Sequence, residues 1–303
     1  MFTRAARKLS DGGDWLLPLG AWLESLPLRP EQREGLLLPL LAAMVGCSIE
    51  QARGLSARGA VLFVAKALPD KLLDPVRYGN SLLGLGGNLQ RLARLSQDLA
   101  TRLGSPVTAV RPLARDGFRI DSADGTSWPV DLVVFAAPPY VAGPLLSGMP
   151  QLSEAAAVLE QFEYFEAEVV IHRDPVYMPE NPRHWSAYNA HVSGDFAEAS
   201  IWYGALRPVP AGQTPLPLFK SWATARSEAP REEVFRRAFR HPLVTPAFIE
   251  LQERLDTHQG RAGVWFAGSY TLEVDSQETA LVSAVDVAQA LQPDAPNLRL
   301  LHG

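Results

Sequence analysis

Apolar residues recur at helical spacing along the first quarter of the chain. In the segment 14–68, leucines and tryptophans lie three or four positions apart, and prolines and glycines interrupt the pattern. This pattern predicts a short helical region. Its most apolar run, 36–47, is too short to cross roughly 30 Å of hydrocarbon. We therefore predict that it forms a buried helix.

A second helical pattern begins after a cluster of glycines. Gly86, Gly87 and Asn88 predict a turn and an asparagine N-cap, and leucines follow at positions 89, 92, 95, 99 and 103. Gly104 then predicts the end of this helix.

Beyond Gly104 the spacing of apolar residues changes from helical to alternating. The dipeptides Asp116-Gly117 and Asp124-Gly125 are strong signals for tight turns between strands. They predict a small β-meander. The apolar run 132–137 follows, and predicts a core strand covered on both faces.

The segment 138–260 resembles a separate unit of helices and strands, with a helix near 153–162 and strands near 165–173, 199–205 and 216–223. Its aromatic residues have two interpretations: they line an apolar substrate pocket, or they are ordinary core residues of strands. These residues are Trp185, Tyr188, Trp202, Tyr203 and Trp222.

Charge and cysteine content exclude several classes of function. The formal net charge is -5, and no basic run is present that would neutralise a nucleic-acid backbone. Cys47 is the only cysteine, which rules out an intramolecular disulfide and favours core packing in a reducing cytoplasm. His184 and His191 have no third ligand at a metal-like spacing, so no metal site is predicted. The first residues do not read as a signal peptide, and no transmembrane segment is predicted.

The segment VWFAGSY, beginning at Val264, joins an apolar strand to a glycine turn, and a helical pattern follows. Free N–H groups and a partial charge of about +0.5 at a helix N-terminus favour a phosphate or another anion. Gly268 and Ser269 are the candidates at the turn, and Gln277, Glu278 and Thr279 those at the helix start. Any α/β crossover shares this pattern, and Glu278 is either a site carboxylate or a helix acid that favours the macrodipole.

Three segments together resemble the C-terminal blocks of the flavin-containing amine oxidase and phytoene-desaturase superfamily, and most closely bacterial predicted NAD/FAD-binding amine-oxidoreductases. They are GLGGNLQRLARLSQDLATRLG, SPVTAVRPLARDGFRIDSADGTSWPVDLVVFAAPP and VWFAGSYTLEVDSQETALVSAVDVAQAL. The resemblance implies FAD as the cofactor and hydride transfer from a substrate C–N or C–C bond to the flavin. It implies cofactor contacts at Val107, Ala137, Gly268, Ser269, Tyr270, Gln277, Glu278 and Thr279.

The fold class implied is α/β with mixed α+β parts: an incomplete FAD-binding Rossmann-like domain with a β-meander, and a substrate domain of mixed sheet and helices. The expected domains are 1–74 (helical part of the substrate domain), 75–140 (FAD segment), 141–258 (substrate domain) and 259–303 (C-terminal FAD segment).

The sequence departs from the family pattern at two places. No Gly-x-Gly-x-x-Gly motif occurs in the 303 residues, so the resemblance covers the C-terminal two-thirds of such enzymes. Thr279 stands where the family often has glycine, and we expect its bulk to narrow the approach to the flavin. Two hypotheses follow: a truncated oxidoreductase for a small apolar substrate, or a non-catalytic remnant that binds a ligand, an N-terminal fragment or a second copy.

Overall fold

A computed structural model describes residues 2–67, 84–96, 99–206 and 214–299. The α-helices are α1 (Phe2–Gly12), α2 (Leu19–Ser25), α3 (Pro30–Gln32), α4 (Leu38–Val45), α5 (Ile49–Arg53), α6 (Ala57–Ala67), α7 (Gly84–Leu95), α8 (Pro139–Leu146), α9 (Ser153–Leu159), α10 (Tyr203–Leu206), α11 (Pro246–Asp256), α12 (Gln277–Leu291) and α13 (Pro296–Arg299). The strands are β1 (Val107–Pro112), β2 (Phe118–Ser122), β3 (Ser127–Val130), β4 (Val133–Phe135), β5 (Tyr164–His172), β6 (Tyr188–Ser193), β7 (Phe196–Trp202), β8 (Phe219–Trp222), β9 (Glu233–Pro242) and β10 (Val264–Phe266).

The chain divides into two compact units. Unit 1 is drawn from 1–76 and 163–248, and unit 2 from 77–162 and 249–303. Mixed helices and sheets occur as the sequence predicts. The four domain boundaries expected from the resemblance remain a prediction.

Unit 1 combines the N-terminal helices with a five-stranded antiparallel sheet in the order β6-β7-β8-β5-β9. The helices and one face of the sheet share an apolar core, in which Leu38 and Leu41 of α4 pack with Ala167 and Ala199 of the strands. The buried helix predicted for 36–47 is thus confirmed as α4, preceded by a π-helical turn at Arg33–Leu37. None of the described helices is long and apolar enough to cross a membrane.

Two residues at this core mark helix ends: a glycine ends α4, and a serine begins α5. Gly46 ends α4 with a φ of 86°, and a Cβ there would lie 2.9 Å from the indole of Trp222. Glycine is therefore required both by the left-handed backbone and by the close approach of the indole. Ser48 and Gln51 then form a capping box that starts α5.

In unit 1 the bounds of one predicted strand are corrected, and one strand has no prediction. The strand predicted for 199–205 begins at Phe196 and ends at Trp202, where α10 takes over. The strand β9 was not predicted, because it contains four arginines or histidines among largely exposed residues. It forms because its whole length pairs with β5, and strand pairing by tertiary contacts overrides weak local propensity.

Unit 2 contains the predicted β-meander. The strands β1, β2 and β3 pair antiparallel in chain order. Gly117 and Gly125 occupy the predicted turns with φ values of 99° and 82°, which only glycine adopts without strain. This part of the prediction is confirmed.

The predicted core strand is β4, and it pairs parallel with β10 in a two-stranded sheet. Val133 and Phe135 are buried, and the ring of Phe135 stacks on that of Phe266 with 6.1 Å between centroids. The expectation of cover on both faces is wrong, because Val134 is 40% exposed. The apolar run thus forms a strand with one buried face, and its other face, which carries Val134, is exposed.

The helix predicted to start at an Asn88 N-cap is also corrected. α7 begins at Gly84, so Asn88 lies inside it, and it ends at Leu95 and not at Gly104. Glycines 86 and 87 are poor helix formers, but neither prevents the helix. None of the residues of α7 is buried.

The second face of the unit 1 sheet covers a buried polar network. His172 is fully buried, and its Nδ1 lies 2.6 Å from the carbonyl oxygen of Asp174, to which the ring donates. Its Nε2 lies 2.9 Å from the Ser221 hydroxyl, which lies 2.8 Å from the hydroxyl of Ser200. Burial lowers the pKa of His172 below its ordinary value.

This histidine predicts a loss of stability in acid. Above a pH of about 6.5 the His172 ring is neutral in both the folded and the unfolded state. Below that pH the ring binds a proton more readily in the unfolded state than in the folded state. We expect the free energy of unfolding to fall by up to about 1.4 kcal/mol per pH unit as the pH drops. The free energy of unfolding, measured with urea at several values between about pH 8 and about pH 5, should depend less steeply on pH for His172→Gln than for the parent protein. The exposed His184→Gln is the control, and equal slopes for all three proteins would contradict the assignment.

Candidate functional site

The carboxyl ends of β4 and β10 lie side by side in unit 2. Phe135 and Phe266 are paired in register, and the Ala267 N–H donates to the Phe135 carbonyl at 3.0 Å. The chain therefore leaves the two strands at neighbouring points, at Ala137 and Gly268. In open parallel sheets ligands bind outside the carboxyl ends of the strands, so this is the candidate site.

Gly268 has a backbone conformation that requires glycine. Its φ is 137° and its ψ is 168°, and a Cβ would lie 2.9 Å from the ring of Tyr270. Its N–H donates to the Ser283 hydroxyl of α12 at 2.8 Å. That amide is thus used within the protein and is not free for a phosphate, although the absence of a Cβ leaves the backbone approachable.

Tyr270 and Ser269 stabilise the turn with their side chains. Tyr270 is only 4% exposed, its hydroxyl donates to the Phe135 carbonyl at 2.9 Å, and its ring meets Phe162 edge-on. The Ser269 hydroxyl donates to the carboxylate of Asp275. The Tyr270 ring therefore holds the turn against β4 from the inside, and a contact of its ring with the flavin remains a prediction.

The N-terminus of α12 follows this turn. Ser276 is the N-cap, and its hydroxyl accepts from the Thr279 N–H at 3.1 Å. The Thr279 hydroxyl accepts from the Ser276 N–H at 3.3 Å, which closes the capping box, and it lies 2.6 Å from the Val274 carbonyl. Thr279 is buried, so the expectation that its bulk narrows the approach to a ligand is wrong: its side chain points into the protein.

Gln277 and Glu278 are the exposed residues at this helix start. As the first two helical residues, they have N–H groups with no partner inside the helix. Together with the partial positive charge of the helix dipole, these N–H groups can bind an anion, and that they do so remains a prediction. The Glu278 carboxylate stabilises the dipole from this position, and a direct role at a cofactor remains a prediction.

Val107 and Ala137 complete the predicted cofactor residues. Val107 is exposed at the start of β1, is paired with Ser122, and precedes a bulge that reaches Ala109. Ala137 is half-buried between β4 and α8. All eight predicted cofactor residues belong to unit 2.

The five predicted aromatic residues belong to unit 1, but they do not line one pocket. Trp185 and Trp202 pack edge-on, with 5.3 Å between their centroids, and Trp185 also meets Phe219. Tyr188 and Trp222 lie on the opposite sheet face, against the helical core. Tyr203 begins α10. Contact of either group with substrate remains a prediction.

Lys220 is a candidate that was missed in the sequence. It lies in a row across the sheet with Ile201 and Tyr188, and its Nζ lies 5.6 Å from the centre of the Trp222 indole. Burial lowers the pKa of its amine, and no described carboxylate forms an ion pair with it. The only sequence signal is a lysine between Phe219 and Trp222 in an apolar strand.

The Tyr188 hydroxyl shares this environment. It is buried without a hydrogen-bond partner among the described residues, and burial raises its pKa. A buried hydroxyl without a partner costs free energy, and this row therefore combines a hydroxyl and an amine that a ligand could satisfy.

A polar cavity of about 260 Å³ opens elsewhere in unit 1, beside Tyr177, His191 and Arg226. The guanidinium of Arg226 lies over the Tyr177 ring and pairs with Glu198 at 3.2 Å. None of the predicted site residues lines this cavity.

Comparison with known proteins points to one family. The profile of the family described as flavin containing amine oxidoreductase matches residues 46–241. The chain is similar to the structure of a cofactor-binding mutant of putrescine oxidase, with a TM-score of 0.60 and 13% identity. That match covers 95% of this chain and 74% of the other. No curated protein sequence matches the chain.

The family profile covers more than half of the chain, and the likeness to putrescine oxidase shows the same fold. The parallel strand ends and the helix start of unit 2 lie in the order that the sequence resemblance requires. The chain belongs to the flavin-containing amine oxidoreductase family.

Proposed function

We propose that the chain is part of an FAD-dependent oxidoreductase of the amine-oxidase type that acts on a small, largely apolar substrate. The proposal rests on the α12 N-terminus, which follows the turn at the carboxyl ends of β4 and β10, and on the Gln277 and Glu278 amides, which bond to no described residue. FAD, when bound, supplies the acceptor for a hydride from a substrate C–N or C–C bond.

The residues of unit 2 fit one part of such a cofactor. The free amides and the helix dipole favour an anionic group, and Ala137 and Gly268 leave the backbone approachable at the strand ends. Because the Gly268 amide is bonded to Ser283, this turn donates less to a pyrophosphate than a glycine-rich turn does. In the described part of unit 2, the anion contacts therefore come from the start of α12 more than from the Gly268 turn.

Unit 1 supplies the surface that we assign to the substrate. Ile201, Trp222 and the stem of Lys220 exclude water and orient an apolar group. Since none of the described carboxylates pairs with the Lys220 amine, that amine disfavours a cationic substrate and favours the neutral amine, which is the form that can release a hydride. The Tyr188 hydroxyl is a donor that can hold the substrate nitrogen.

The second candidate is a non-catalytic remnant that binds a ligand or a partner chain. The internal bond of the Gly268 amide favours it. For either function, the single cysteine supports a reducing compartment such as the cytoplasm. Burial raises the pKa of the Cys47 thiol to about 12, so it is a packing residue.

The visible spectrum of the purified chain tests the two candidates. After incubation with FAD and removal of free flavin, we expect a bound flavin absorption that benzylamine or putrescine bleaches without oxygen. Putrescine is included because the structural relative is a putrescine oxidase. A bound flavin that no amine bleaches would contradict amine oxidation, and a colourless protein would favour the remnant.

A proline at the first residue of α12 sharpens this test. Gln277→Pro removes one N–H at a position where proline fits a helix, and Ser276 already has the extended conformation that proline requires before it. We expect FAD to bind about tenfold more weakly or worse, because a hydrogen bond to a charged group is lost. Glu278→Gln keeps the amide and is the matched control.

A further inference from the structure

The polar cavity of unit 1 lies on the sheet face opposite to Tyr188. His191 and Ser193 of β6 line this cavity, and they are an odd number of positions from Tyr188, so their side chains point to the other face of the strand. Tyr177 also lines the cavity, and its ring meets that of His172 edge-on on this same face. The cavity is therefore separate from the surface that we assign to the substrate.

A buried guanidinium forms part of the cavity wall. The side chain of Arg226 is 8% exposed, and its Nε lies 3.2 Å from the Glu198 carboxylate. Its Nη2 donates to the Glu198 carbonyl at 3.0 Å, and its planar group lies over the Tyr177 ring. None of the described residues accepts from its Nη1. Because a guanidinium carries five N–H donors, part of its bonding capacity is unused within the protein.

The Nη1 atom of Arg226 faces the cavity. In the described part of the chain, the Tyr188 hydroxyl is the one fully buried polar side-chain atom without a partner. Nη1 therefore retains contact with open space, and the open space beside Arg226 is this cavity. The Glu198 carboxylate is held on the Nε side, because its second oxygen accepts from the Ala225 N–H at 3.0 Å. The charged donor is thus left available to a ligand.

Uncharged donors surround this charged one. The imidazole of His191 and the hydroxyls of Ser193 and Ser227 belong to residues that line the same cavity, and each group can donate a hydrogen bond. The Tyr177 hydroxyl donates to the Glu228 carbonyl, which ties the loop that carries Ser227 to the wall. The cavity therefore favours a ligand that accepts hydrogen bonds.

Charge and size select the class of ligand. Glu198 already balances the charge of Arg226, and the lining also contains Glu228, so an anion with one negative charge fits better than one with two. Arginine matches the planar geometry of a carboxylate. Val176 and Met178 supply an apolar wall. A volume of about 260 Å³ has room for roughly nine water molecules of about 30 Å³ each.

We propose that this cavity is a binding site for a small monocarboxylate with a short aliphatic or aromatic body. The carboxylate accepts from Nη1 of Arg226 and from the neighbouring imidazole and hydroxyl donors, and the body packs against Val176 and Met178. The inference goes beyond the proposed function and does not depend on it, because all the lining residues belong to unit 1 and none is in the candidate cofactor site of unit 2.

Titration calorimetry of the purified chain with butyrate, benzoate and inorganic phosphate tests this site. We expect saturable binding of a carboxylate and no binding of phosphate at the same concentration. Ser193→Trp should prevent binding, because the indole fills the cavity from an exposed position on β6. Val192→Trp is the matched control, since Val192 is the exposed neighbour whose side chain points to the opposite face.

A second variant tests the role of the guanidinium. Glu198→Leu with Arg226→Met removes the charged donor without leaving a buried charge unpaired. We expect the affinity for butyrate or benzoate to fall about tenfold or more, because a hydrogen bond between charged groups is lost. Thermal unfolding establishes that each variant is folded, and Ser193→Trp keeps the test decisive if the double variant is not.

The outcomes separate this site from the proposed function. The absence of carboxylate binding up to about 10 mM would overturn the inference, as would phosphate that binds as tightly as benzoate. Binding that Ser193→Trp leaves unchanged would also overturn it, because the ligand would then occupy another surface, such as that of Lys220. A chain that binds a carboxylate in this cavity but holds no flavin supports the inference and contradicts the proposed function.

Discussion

Replacing Glu198 with alanine is expected to lower the free energy of unfolding by about 3 to 5 kcal/mol. The side chains of Glu198 and Arg226 are 4% and 8% exposed, and their charged atoms lie 3.2 Å apart. Glu198 also accepts from the Ala225 N–H at 3.0 Å, and Arg226 donates to the Glu198 carbonyl at 3.0 Å. Removal of the carboxylate leaves a buried guanidinium with no charge partner, which is the main cost.

Urea unfolding measures the change, and two variants define its origin. Glu166→Ala removes one member of an exposed pair with Arg240, and should cost less than about 1 kcal/mol. The double variant Glu198→Leu with Arg226→Met replaces both charges by apolar groups and should recover much of the loss. If the double variant is as unstable as Glu198→Ala, packing and not the unpaired charge is responsible.

Replacing Gly268 with alanine is expected to cost about 2 to 5 kcal/mol, from backbone strain and steric overlap together. The φ of 137° with ψ of 168° lies in a region that is essentially restricted to glycine. The new Cβ would lie 2.9 Å from the Tyr270 ring, which its bond to Phe135 holds in place. The ring must move, and the bond that joins the turn to β4 is then lost.

Gly125→Ala is the matched control for this change. Gly125 also has a positive φ, of 82°, but nothing lies within 4 Å of its Cβ position. Strain alone should cost about 1 to 2 kcal/mol there. Thermal or urea unfolding of the two variants should differ accordingly. Equal losses would mean that the packing of Tyr270 against Gly268 contributes little.

The order of elements could largely be predicted from the sequence. The meander was predicted because Asp116-Gly117 and Asp124-Gly125 are local signals whose backbone requirements hold in any context. The strand and helix around Gly268 were predicted for the same reason, since an apolar run, a glycine and a helical pattern are encoded within a few residues. Local chemistry also determined the start of α12 at Gln277.

The arrangement of the candidate site depended on the tertiary structure. Which face of a sheet a residue occupies follows from pairing register, and this register separated Trp202 from Trp222 and brought Lys220 into a row with Tyr188. The strand β9 could not be predicted from the sequence, because its exposed arginines give no strand pattern and it forms only by pairing with β5.

At the Gly268 turn, too, some features are encoded locally and others depend on hydrogen bonds formed in the folded structure. The local pattern predicts that a glycine, a serine and a helix start lie together after β10. The tertiary structure is needed to show that Ser283 accepts from the Gly268 N–H, that the Thr279 side chain points inward, and that Gln259 bonds to the β10 edge while no described strand pairs with the β4 edge. These partners are distant in sequence or depend on side-chain direction, and a one-dimensional pattern carries neither quantity.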